Sequence, residues 1–363
     1  AQDLCERAIC IILSGTGSDG TLGLQEIKAQ AGMVMAEDPQ FAKYDGMPAS
    51  AIATGLVDFV MPPAAMPEQL VEYVRAPYLS AALANEALPV IASGALQEIF
   101  DLLRRHTGHD FSAYKNNTIH RRIDRRMNLH KIPSHSQYVR YLQENPDEID
   151  CLFRELLINV TNFFRDPEAW EALAKPLDAL VRSRPVGSSL RVWVPGCSSG
   201  EEVFSIAILL HECMEASQRQ MHIQIFGTDL DARAIEQART GLFPEGVADD
   251  LTPARLRKYF TSEHGGYRIR KDIREMTVFA LQNVIKDPPF TQMDLISCRN
   301  LLIYLNAQIQ KKLLPIFHYA LKPQGLLFLG SSETIGTFSD LFEPLDKRWK
   351  LFQSKKSVTG RQI

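Results

Sequence analysis

The sequence predicts an α/β protein whose main sheet is largely parallel. From Leu177 onward, short apolar runs typical of buried strands alternate with segments of helical spacing, which is the pattern of a parallel sheet. The clearest unit is Ser189–Glu202, which has the pattern of a buried strand, a glycine-containing loop and the start of a helix. From Leu96 to about Ala174, apolar residues recur at helical spacing with no strand pattern, so we expect a small all-helical domain before the sheet.

The first 75 residues predict a separate, smaller α/β segment. Strands are expected at Ala8–Leu13, Met33–Ala36 and Val57–Met61. Helices are expected at Thr21–Ala31, Met47–Thr54 and Glu68–Val74. Because a domain rarely begins in the middle of a sheet, we expect this segment to be a fragment of a longer chain. Residues 76–95 are rich in alanine and contain Pro77 and Pro89, so they are predicted to be a linker.

Composition and charge indicate a globular protein and argue against several other classes of protein. With 363 residues, 45% hydrophobic and 23% charged, the chain is long enough for more than one ordinary globular domain. The net charge of −3 argues against a general nucleic-acid or anionic-membrane surface. No apolar run approaches the roughly 20 residues that span a bilayer, so no membrane insertion is expected. The six cysteines form no CxxC pair or metal-ligand spacing, which predicts reduced thiols in a cytoplasmic protein without a metal site.

Polar residues follow three successive predicted strands at the points where the strands end. Gly196 and Gly200 follow the first strand and let the backbone approach a ligand, while Asp229 ends the second strand. The third strand begins at Met293 and ends in Cys298-Arg-Asn300. Because open α/β sheets bind ligands at the carboxyl ends of their strands, these groups predict a binding site at that edge. The carboxylate of Asp229 can accept hydrogen bonds from a ribose diol, although it can also cap a helix.

Four motifs in a fixed order identify a family resemblance. They are Asn159–Arg165, Gly196–Glu202, Gly227–Asp231 and Cys298–Tyr304. Together they resemble the CheR-type chemotaxis receptor methyltransferases, and the resemblance extends from about Leu96 to about Phe352. It implies a Rossmann-like S-adenosylmethionine-dependent methyltransferase sheet at 175–355, interrupted by an inserted β-subdomain at 243–275. It also implies a helical receptor-docking domain at 96–174.

The same resemblance implies a reaction. Its cofactor is S-adenosylmethionine, its product is S-adenosylhomocysteine, and its acceptors are glutamate side chains in the cytoplasmic signalling domain of a chemoreceptor. The residues implied for cofactor binding are Asn159, Thr161, Arg165, Gly196, Glu201, Asp229, Asn283, Val284, Asn300 and Leu301. Arg299 and Tyr304 are implied near the reacting centre, with Arg299 on the substrate carboxylate.

Each of these residues also has a purely structural interpretation. Arg165 can form an interdomain salt bridge in place of holding the cofactor carboxylate, and Glu201 and Glu202 suit the first turn of a helix. Asn283 can be a turn asparagine, while Arg299 can form a salt bridge at a strand end. Tyr304 can be a core tyrosine. The sequence leaves these alternatives open.

Residues 1–75 resemble the carboxyl-terminal third of a CheB-type chemotaxis receptor methylesterase. The matching stretches are Ser14–Gly20, Ala36–Pro39, Gly46–Pro48 and Ala53–Pro62. The resemblance places the aspartate of a Ser-His-Asp triad at Asp19, but the first histidine of the chain is His106. A triad hydrolase also needs a histidine base and an activated serine, so no esterase activity is expected. The chain therefore looks like part of a CheB/CheR fusion that carries further domains.

A basic amphipathic helix is predicted over Lys115–Lys131. Arg122, Arg125 and Arg126 cluster on this helix. The cluster is either a solvated face or, as the resemblance implies, a surface that docks an acidic helix of the receptor.

Two other functions compete with receptor methylation. Asp287-Pro-Pro-Phe290 is similar to a motif of DNA amino methyltransferases, which flip a base out of the duplex. However, it precedes the strand Met293–Ser297, whereas in those enzymes it closes that strand, so the nucleic-acid alternative is disfavoured. The second alternative is a signalling module that binds S-adenosylmethionine without catalysis.

Overall fold

The computed structural model describes residues 3–75, 93–157, 161–185, 187–263 and 265–356. It divides into two compact units. Unit 1 comprises Ala1–Val160 with Pro244–Gly246, and unit 2 comprises Thr161–Phe243 with Val247–Ile363. Most of the predicted linker and Asn159 lie outside the described residues.

Unit 1 begins with a parallel three-stranded sheet in the order β1-β2-β3. Its strands are β1 (Ile9–Ile12), β2 (Met33–Glu37) and β3 (Phe59–Met61). Its helices are α1 (Thr21–Ala29), α2 (Gly46–Ala53) and α3 (Met66–Arg75). The central strand β2 is buried along its whole length because apolar residues pack on both of its faces. The predicted strands and helices of this segment are confirmed.

The rest of unit 1 is helical, as the spacing of apolar residues predicted. Its helices are α4 (Ser93–Thr107), α5 (Asn116–Leu129), α6 (His135–Glu144) and α7 (Pro146–Leu157). Ser134 begins α6, because its hydroxyl accepts a hydrogen bond from the backbone N–H of Gln137. The apolar faces of these helices supply fully buried side chains such as Leu103, Ile119 and Ile123.

Unit 2 contains a seven-stranded sheet with helices α8 to α13. Its strands are β4 (Ser189–Pro195), β5 (His222–Asp229), β9 (Thr277–Leu281), β10 (Met293–Cys298), β11 (Leu321–Leu329), β12 (Phe342–Asp346) and β13 (Leu351–Ser354). Its helices are α8 (Pro167–Ser183), α9 (Glu201–Ser217), α10 (Ala232–Thr240), α11 (Pro253–Tyr259), α12 (Lys271–Arg274) and α13 (Ala307–Ala320). The strand order is β12-β13-β11-β10-β4-β5-β9. The five strands from β11 to β9 are parallel, which confirms the predicted Rossmann-like sheet. The chain reverses its direction of travel across the sheet between β4 and β10, and such a switch point opens a crevice at the carboxyl edge.

Helix α8 belongs to unit 2, although the sequence pattern grouped its first half with the helical domain. Its residues Leu173, Leu177 and Val181 are fully buried in the core of unit 2. The division between the units therefore precedes α8, whereas the predicted boundary at residue 174 falls inside it. Helical spacing reveals that a helix is amphipathic, but it does not reveal which core its apolar face enters.

The inserted subdomain is a small antiparallel sheet in the order β6-β8-β7. Its strands are β6 (Leu242–Phe243), β7 (Phe260–Glu263) and β8 (Gly266–Ile269). Residues Leu321–Leu329 form one strand, β11, with a register shift where it pairs with β10. The antiparallel edge of the sheet comes from β13 and β12.

Gly227 in β5 sets how closely α9 packs on the sheet. A Cβ atom at this position would lie 2.8 Å from Val203 of α9 and 2.8 Å from the Phe279 ring. We predict that Gly227→Ala lowers the free energy of unfolding of unit 2 by roughly 1–3 kcal/mol through overpacking. The matched control is Gly23→Ala in α1, where a Cβ atom meets nothing within 4 Å. Thermal or denaturant unfolding measures both variants, and equal stabilities would contradict the packing argument.

Candidate functional site

The loop after β4 turns sharply into α9 and brings backbone N–H groups to the carboxyl edge of the sheet. Gly196, Ser198 and Gly200 adopt positive φ values of 72°, 49° and 98°. At Gly200 a Cβ atom would lie 2.9 Å from the Cβ of Ala238, so glycine is required there for packing as well as for conformation. Helix α9 therefore begins at this edge, and its N-terminus favours a negatively charged group there.

Asp229, at the end of β5, holds that loop. Its Oδ2 accepts a hydrogen bond from the Ser198 N–H at 2.8 Å, and its Oδ1 accepts one from the Asp231 N–H at 3.0 Å. Burial raises the pKa of Asp229, although the backbone hydrogen bonds lower it. The N-cap residue of α10 is Asp231, because its side chain accepts hydrogen bonds from the N–H groups of Arg233 and Ala234. Asp229 therefore does not cap this helix.

Glu201 is a buried acid at the first turn of α9. The Ser199 hydroxyl donates to its carboxylate, with oxygen–oxygen distances of 2.7 and 2.9 Å. Burial raises the pKa of Glu201 to about 7, although the Ser199 hydrogen bond lowers it. A buried carboxyl with this pKa gains from a cationic ligand, because a nearby positive charge favours its ionised form.

Glu202 faces a different set of partners and is more than a helix-start residue. Its Oε1 accepts a hydrogen bond from the Ser297 hydroxyl at 2.7 Å, and its Oε2 lies 3.7 Å from Nη1 of Arg299. Burial raises the pKa of Glu202, while Arg299, Ser297 and Arg165 lower it. This acid links α9 to the carboxyl end of β10.

Arg299 is enclosed within unit 2, with its side chain only 1% exposed. Its Nη2 donates to the Asp166 carboxylate and to the Arg165 carbonyl, each at 2.8 Å. Its guanidinium also lies over the rings of Phe328 and Trp170, 4.8 and 5.5 Å from their centroids. The strand-end salt bridge considered from the sequence is therefore present. The role of Arg299 on a substrate carboxylate stays a prediction.

The segment before α8 is an irregular turn fixed by several polar contacts. Phe164 and Asp166 adopt positive φ values of 50° and 59°. The Phe163 N–H donates to Asp250 at 3.3 Å, and the Phe164 N–H donates to the Ser205 hydroxyl at 3.0 Å. Thr161 and Arg165 flank this turn at half-buried positions. Hydrogen bonds and the buried rings of Phe163 and Phe164 fix the backbone of this turn. The direction in which the Arg165 side chain leaves the backbone is therefore constrained.

Glu333 is a residue that the sequence patterns did not single out, and it holds the turn after β10. It follows β11, is 4% exposed, and accepts hydrogen bonds from the N–H groups of Asn300, Leu302 and Gly330. Burial raises the pKa of Glu333, although these hydrogen bonds lower it. Within the turn that it holds, Leu301 packs on Gly196, where a Cβ atom would lie 3.1 Å from the leucine side chain. The signal that could have identified it was an acid within a few residues of the end of a predicted strand.

Three further predicted residues lie near the ends of β9 and β10. Asn283 follows β9 and forms a local turn, since its Oδ1 accepts from the Ile285 N–H at 2.9 Å. Val284 is half-buried beside it. Tyr304 is also half-buried and ends a 3₁₀ turn formed by Leu302–Tyr304. The turn interpretation of Asn283 is therefore confirmed, and the adenine contacts of Asn283 and Val284 stay predictions.

The residues present are chemically suited to S-adenosylmethionine. A buried acid with a pKa of about 7 suits an ammonium group, and a strand-end carboxylate suits a ribose diol. The Ser198 hydroxyl is buried in the glycine loop and has no hydrogen-bond partner among the described residues. An unpaired buried hydroxyl costs free energy, so it favours a polar ligand group at this loop.

Comparison with known proteins decides the family. The model of the CheR methyltransferase SAM-binding domain matches residues 159–351, more than half of the chain. The chain belongs to the CheR methyltransferase family. The all-alpha domain of the same family matches residues 94–157, and the CheB methylesterase family matches residues 1–70. Both resemblances seen in the motifs are confirmed, and S-adenosylmethionine is the cofactor of the CheR sheet domain.

Relatives support the same membership. A 104.1 kDa protein of Rhodobacter capsulatus is 40% identical over 96% of this chain and 39% of its own length. The chemotaxis protein methyltransferase 2 of Vibrio cholerae is 34% identical over 67% of this chain and 86% of its own length. The chemotaxis protein methyltransferase of Klebsiella aerogenes is 32% identical over 71% of this chain and 89% of its own length. The chain thus spans 39% of the length of the Rhodobacter protein and most of the two methyltransferases.

The predicted docking arginines of the CheR helical domain are not a solvent-facing cluster. Arg122 and Arg125 are 6% and 0% exposed. Arg126 forms a bidentate pair with Glu148, at 2.8 and 2.5 Å. The expectation of exposed charges is therefore wrong for Arg122 and Arg125, because polar groups of residues 1–75 and of α7 surround them. A receptor-docking role for the three arginines stays a prediction. The exposed charge that this role requires is absent at Arg122 and Arg125.

The Asp287–Phe290 loop is part of the packed CheR sheet domain. The Phe290 ring stacks on Phe226 at a centroid distance of 4.5 Å and meets Trp193 edge-on at 5.7 Å. Because the half-buried Phe290 ring packs on these two rings, it is not presented as a free wall for a flipped base.

No group of three or more His, Cys, Asp or Glu side chains in the described ranges is arranged to hold a metal ion. None of the helices in those ranges has the length and apolar content needed to cross a membrane.

The raised pKa of Glu201 predicts pH-dependent cofactor binding. Since an ammonium-bearing ligand prefers the ionised carboxylate, binding should release a proton below pH about 7, and affinity should increase as the pH rises through that value. Glu201→Gln should weaken binding above that pH and flatten the dependence. Calorimetry in buffers of different ionisation enthalpy measures the proton release, with Glu171→Gln, an exposed acid on α8, as the control.

The raised pKa of Glu201 also makes the stability of the free protein depend on pH. The folded pKa of Glu201 is raised from 4.5 to about 7, so the folded state binds the proton more tightly. Unit 2 should therefore lose stability as the pH rises from about 4.5 to about 7, and Glu201→Gln should lose less. An unchanged pH dependence of both stability and binding in the variant would contradict the assignment.

Proposed function

We propose that this chain transfers a methyl group from S-adenosylmethionine to glutamate side chains in the cytoplasmic signalling domain of a chemoreceptor, forming glutamate methyl esters. The observation that carries the proposal is the arrangement at the carboxyl edge of the CheR sheet. The glycine loop, the buried acids Glu201 and Asp229, and the Arg299–Leu301 turn meet at the switch between β4 and β10. The two chemotaxis methyltransferases among the relatives support the same acceptor class.

The chemistry of each side chain suits it to one part of S-adenosylmethionine. The planar guanidinium of Arg165 is suited to the carboxylate of the methionine part of the cofactor. The carboxylate of Glu201 is proposed to pair with the ammonium group of the same methionine part. Asp229 retains acceptor capacity for the ribose hydroxyls beside its two backbone hydrogen bonds. Asn283 and Val284 are proposed at the adenine. Thr161, and Asn159 outside the described residues, are proposed as further cofactor contacts.

The acceptor glutamate needs no general base. Its reference pKa is about 4.3, so it is an anion near neutral pH. When bound, S-adenosylmethionine supplies a methyl group on a sulfonium centre, from which the bonding electron pair leaves on sulfur. The work left to the chain is to align the acceptor oxygen with that methyl group and to exclude water. This need for alignment explains why the proposed site consists mainly of contacts that fix loops and side chains in place.

Arg299 acts through other residues under this proposal. Its guanidinium holds the carbonyl of Arg165 and the carboxylate of Asp166, so it fixes the turn from which Arg165 projects. Arg299 is therefore a positioning residue for the cofactor carboxylate, and Tyr304 remains the candidate to line the path of the methyl group. Arg299→Lys would keep the charge but lose the forked geometry, and we expect it to weaken cofactor binding in the same direction as Arg165→Ala.

Cofactor affinity tests the site. Arg165→Ala and Asp229→Ala should each weaken S-adenosylmethionine binding by roughly 1–3 kcal/mol, the value of a lost charge-assisted hydrogen bond. Isothermal titration calorimetry measures the change, and Glu171→Gln should bind like the parent chain. Unchanged affinity in both test variants would remove this site assignment.

Methyl transfer tests the function. The chain is incubated with cofactor labelled on the methyl group and with isolated chemoreceptor signalling domains. We expect label on the protein that base releases as methanol, since a glutamate methyl ester is base-labile. Label that resists base, or label on added DNA only, would overturn the proposal. Cofactor binding without any transfer would support the non-catalytic signalling module.

A further inference from the structure

We propose that the methylesterase-like segment of residues 1–75 is a permanent intramolecular partner of helix α5, and that the basic face of this helix serves that internal interface. The segment then has a function that needs no esterase chemistry. The inference rests on contacts inside unit 1 and is independent of methyl transfer. The interface has three parts: the carbonyl groups at the end of α1, a buried ionic cluster, and a rim of ion pairs.

The first part is the C-terminal end of α1. Helix ends leave carbonyl groups without intrahelical partners, and this end reverses through Ala31, a left-handed residue with φ 62°. Arg122 donates to the Ala29 carbonyl at 3.3 Å, and Arg125 donates to the carbonyls of Ala31 and Gly32 at 3.0 and 2.8 Å. Arg122 of α5 thus caps α1, where the helix dipole favours positive charge, and Arg125 holds the turn that follows α1.

The second part is the ionic cluster around Arg125. This guanidinium is completely buried, and it donates to Asp58 at 2.5 Å and to both oxygens of Glu155 at 2.7 and 2.9 Å. Lys28 of α1 lies 2.5 Å from Asp58 and 3.6 Å from Glu155. Asp58 and Lys28 come from the segment, while Glu155 comes from α7. Burial alone raises the pKa of Glu155, but Arg125, Lys28 and Arg122 outweigh burial and lower it to about 2.

The third part surrounds this cluster. Glu6 pairs with Arg121 at 2.5 Å, and Glu72 of α3 pairs with Lys131 at 2.5 Å. Leu129 of α5 packs against the apolar cluster formed by Met33, Met35, Met66 and Tyr73. The segment therefore meets α5 along its length with opposite charge at the rim and apolar contact at its end.

The burial decides between a permanent and a displaceable interface. An exposed basic face that exchanges partners keeps its charges hydrated, whereas Arg125 has all of its donor groups engaged by Asp58, Glu155 and carbonyl oxygens. Separation would remove the contacts of Arg125 with Asp58 and with the carbonyl oxygens after α1, and it would expose the apolar contact of Leu129 to water. The geometry thus favours a permanent interface, and an acidic receptor helix would have to bind elsewhere on the chain.

A double-mutant cycle tests the interface in the full chain. Asp58→Asn should accelerate hydrogen exchange of the α5 amides by roughly 100-fold, since the Arg125 charge loses a carboxylate partner. Arg125→Gln should accelerate exchange in α1 and α5 together, and the double variant should show less than the product of the two effects. Glu68→Gln, an exposed acid on α3, is the control and should change neither helix. Multiplicative effects without coupling would overturn the proposal.

Cleavage of the linker provides a second measurement that does not depend on destabilised variants. A protease recognition sequence is placed within residues 76–92, and the cut and uncut chains are compared by size-exclusion chromatography. We expect the two pieces to elute together at low salt and at 1 M salt, where the Debye length is about 3 Å, because buried pairs are poorly screened. Separation at either salt, or release of the segment by added receptor signalling domain, would overturn the proposal.

Discussion

Carboxylates that accept backbone N–H groups hold the irregular turns around the carboxyl edge of the CheR sheet. Asp229 holds the glycine loop, Glu333 holds the turn after β10, and Asp250 holds the turn before Arg165. A binding site made of turns exposes many backbone donors, and each buried donor needs a partner. The acids supply those partners and fix the loop geometry at the same time, so the cofactor site depends on them even where they touch no ligand.

The same acids give the site its electrostatic character. Burial raises the pKa values of Glu201, Glu202 and Asp229, so their ionised forms are favoured by nearby positive charge. For Glu202 that positive charge is Arg299 of the chain itself, whereas the side-chain hydrogen bonds of Glu201 within the described residues come from the Ser199 hydroxyl. A cationic ligand is thus favoured on the Glu201 side of α9. This asymmetry is the physical basis for the expected proton release on binding.

Arginines in both units illustrate how burial changes the meaning of a charge. Arg299 and Arg125 were each interpreted from sequence as contacts for an outside partner. Each side chain is almost wholly enclosed and donates to carboxylates and carbonyls of the chain itself. All three guanidinium nitrogens of Arg125 are engaged in this way, whereas Arg299 donates through Nη2 and its Nε and Nη1 have no hydrogen-bond partner among the described residues. Through these contacts each guanidinium stabilises the arrangement of its neighbours. In unit 1 this gives a role to a methylesterase-like segment that lacks a catalytic histidine.

The sequence by itself determined the elements and the family. Periodicity and strand-end glycines located β4, β5 and β10, and four ordered motifs identified the CheR sheet. Only the tertiary structure decided that α8 packs in unit 2, that Glu333 holds a turn more than thirty residues away, and that the basic face of α5 is covered. The physical reason is that local patterns record which side chains avoid water. They do not record which distant groups provide the partners, because a carbonyl or carboxylate from anywhere in the chain satisfies an arginine equally well.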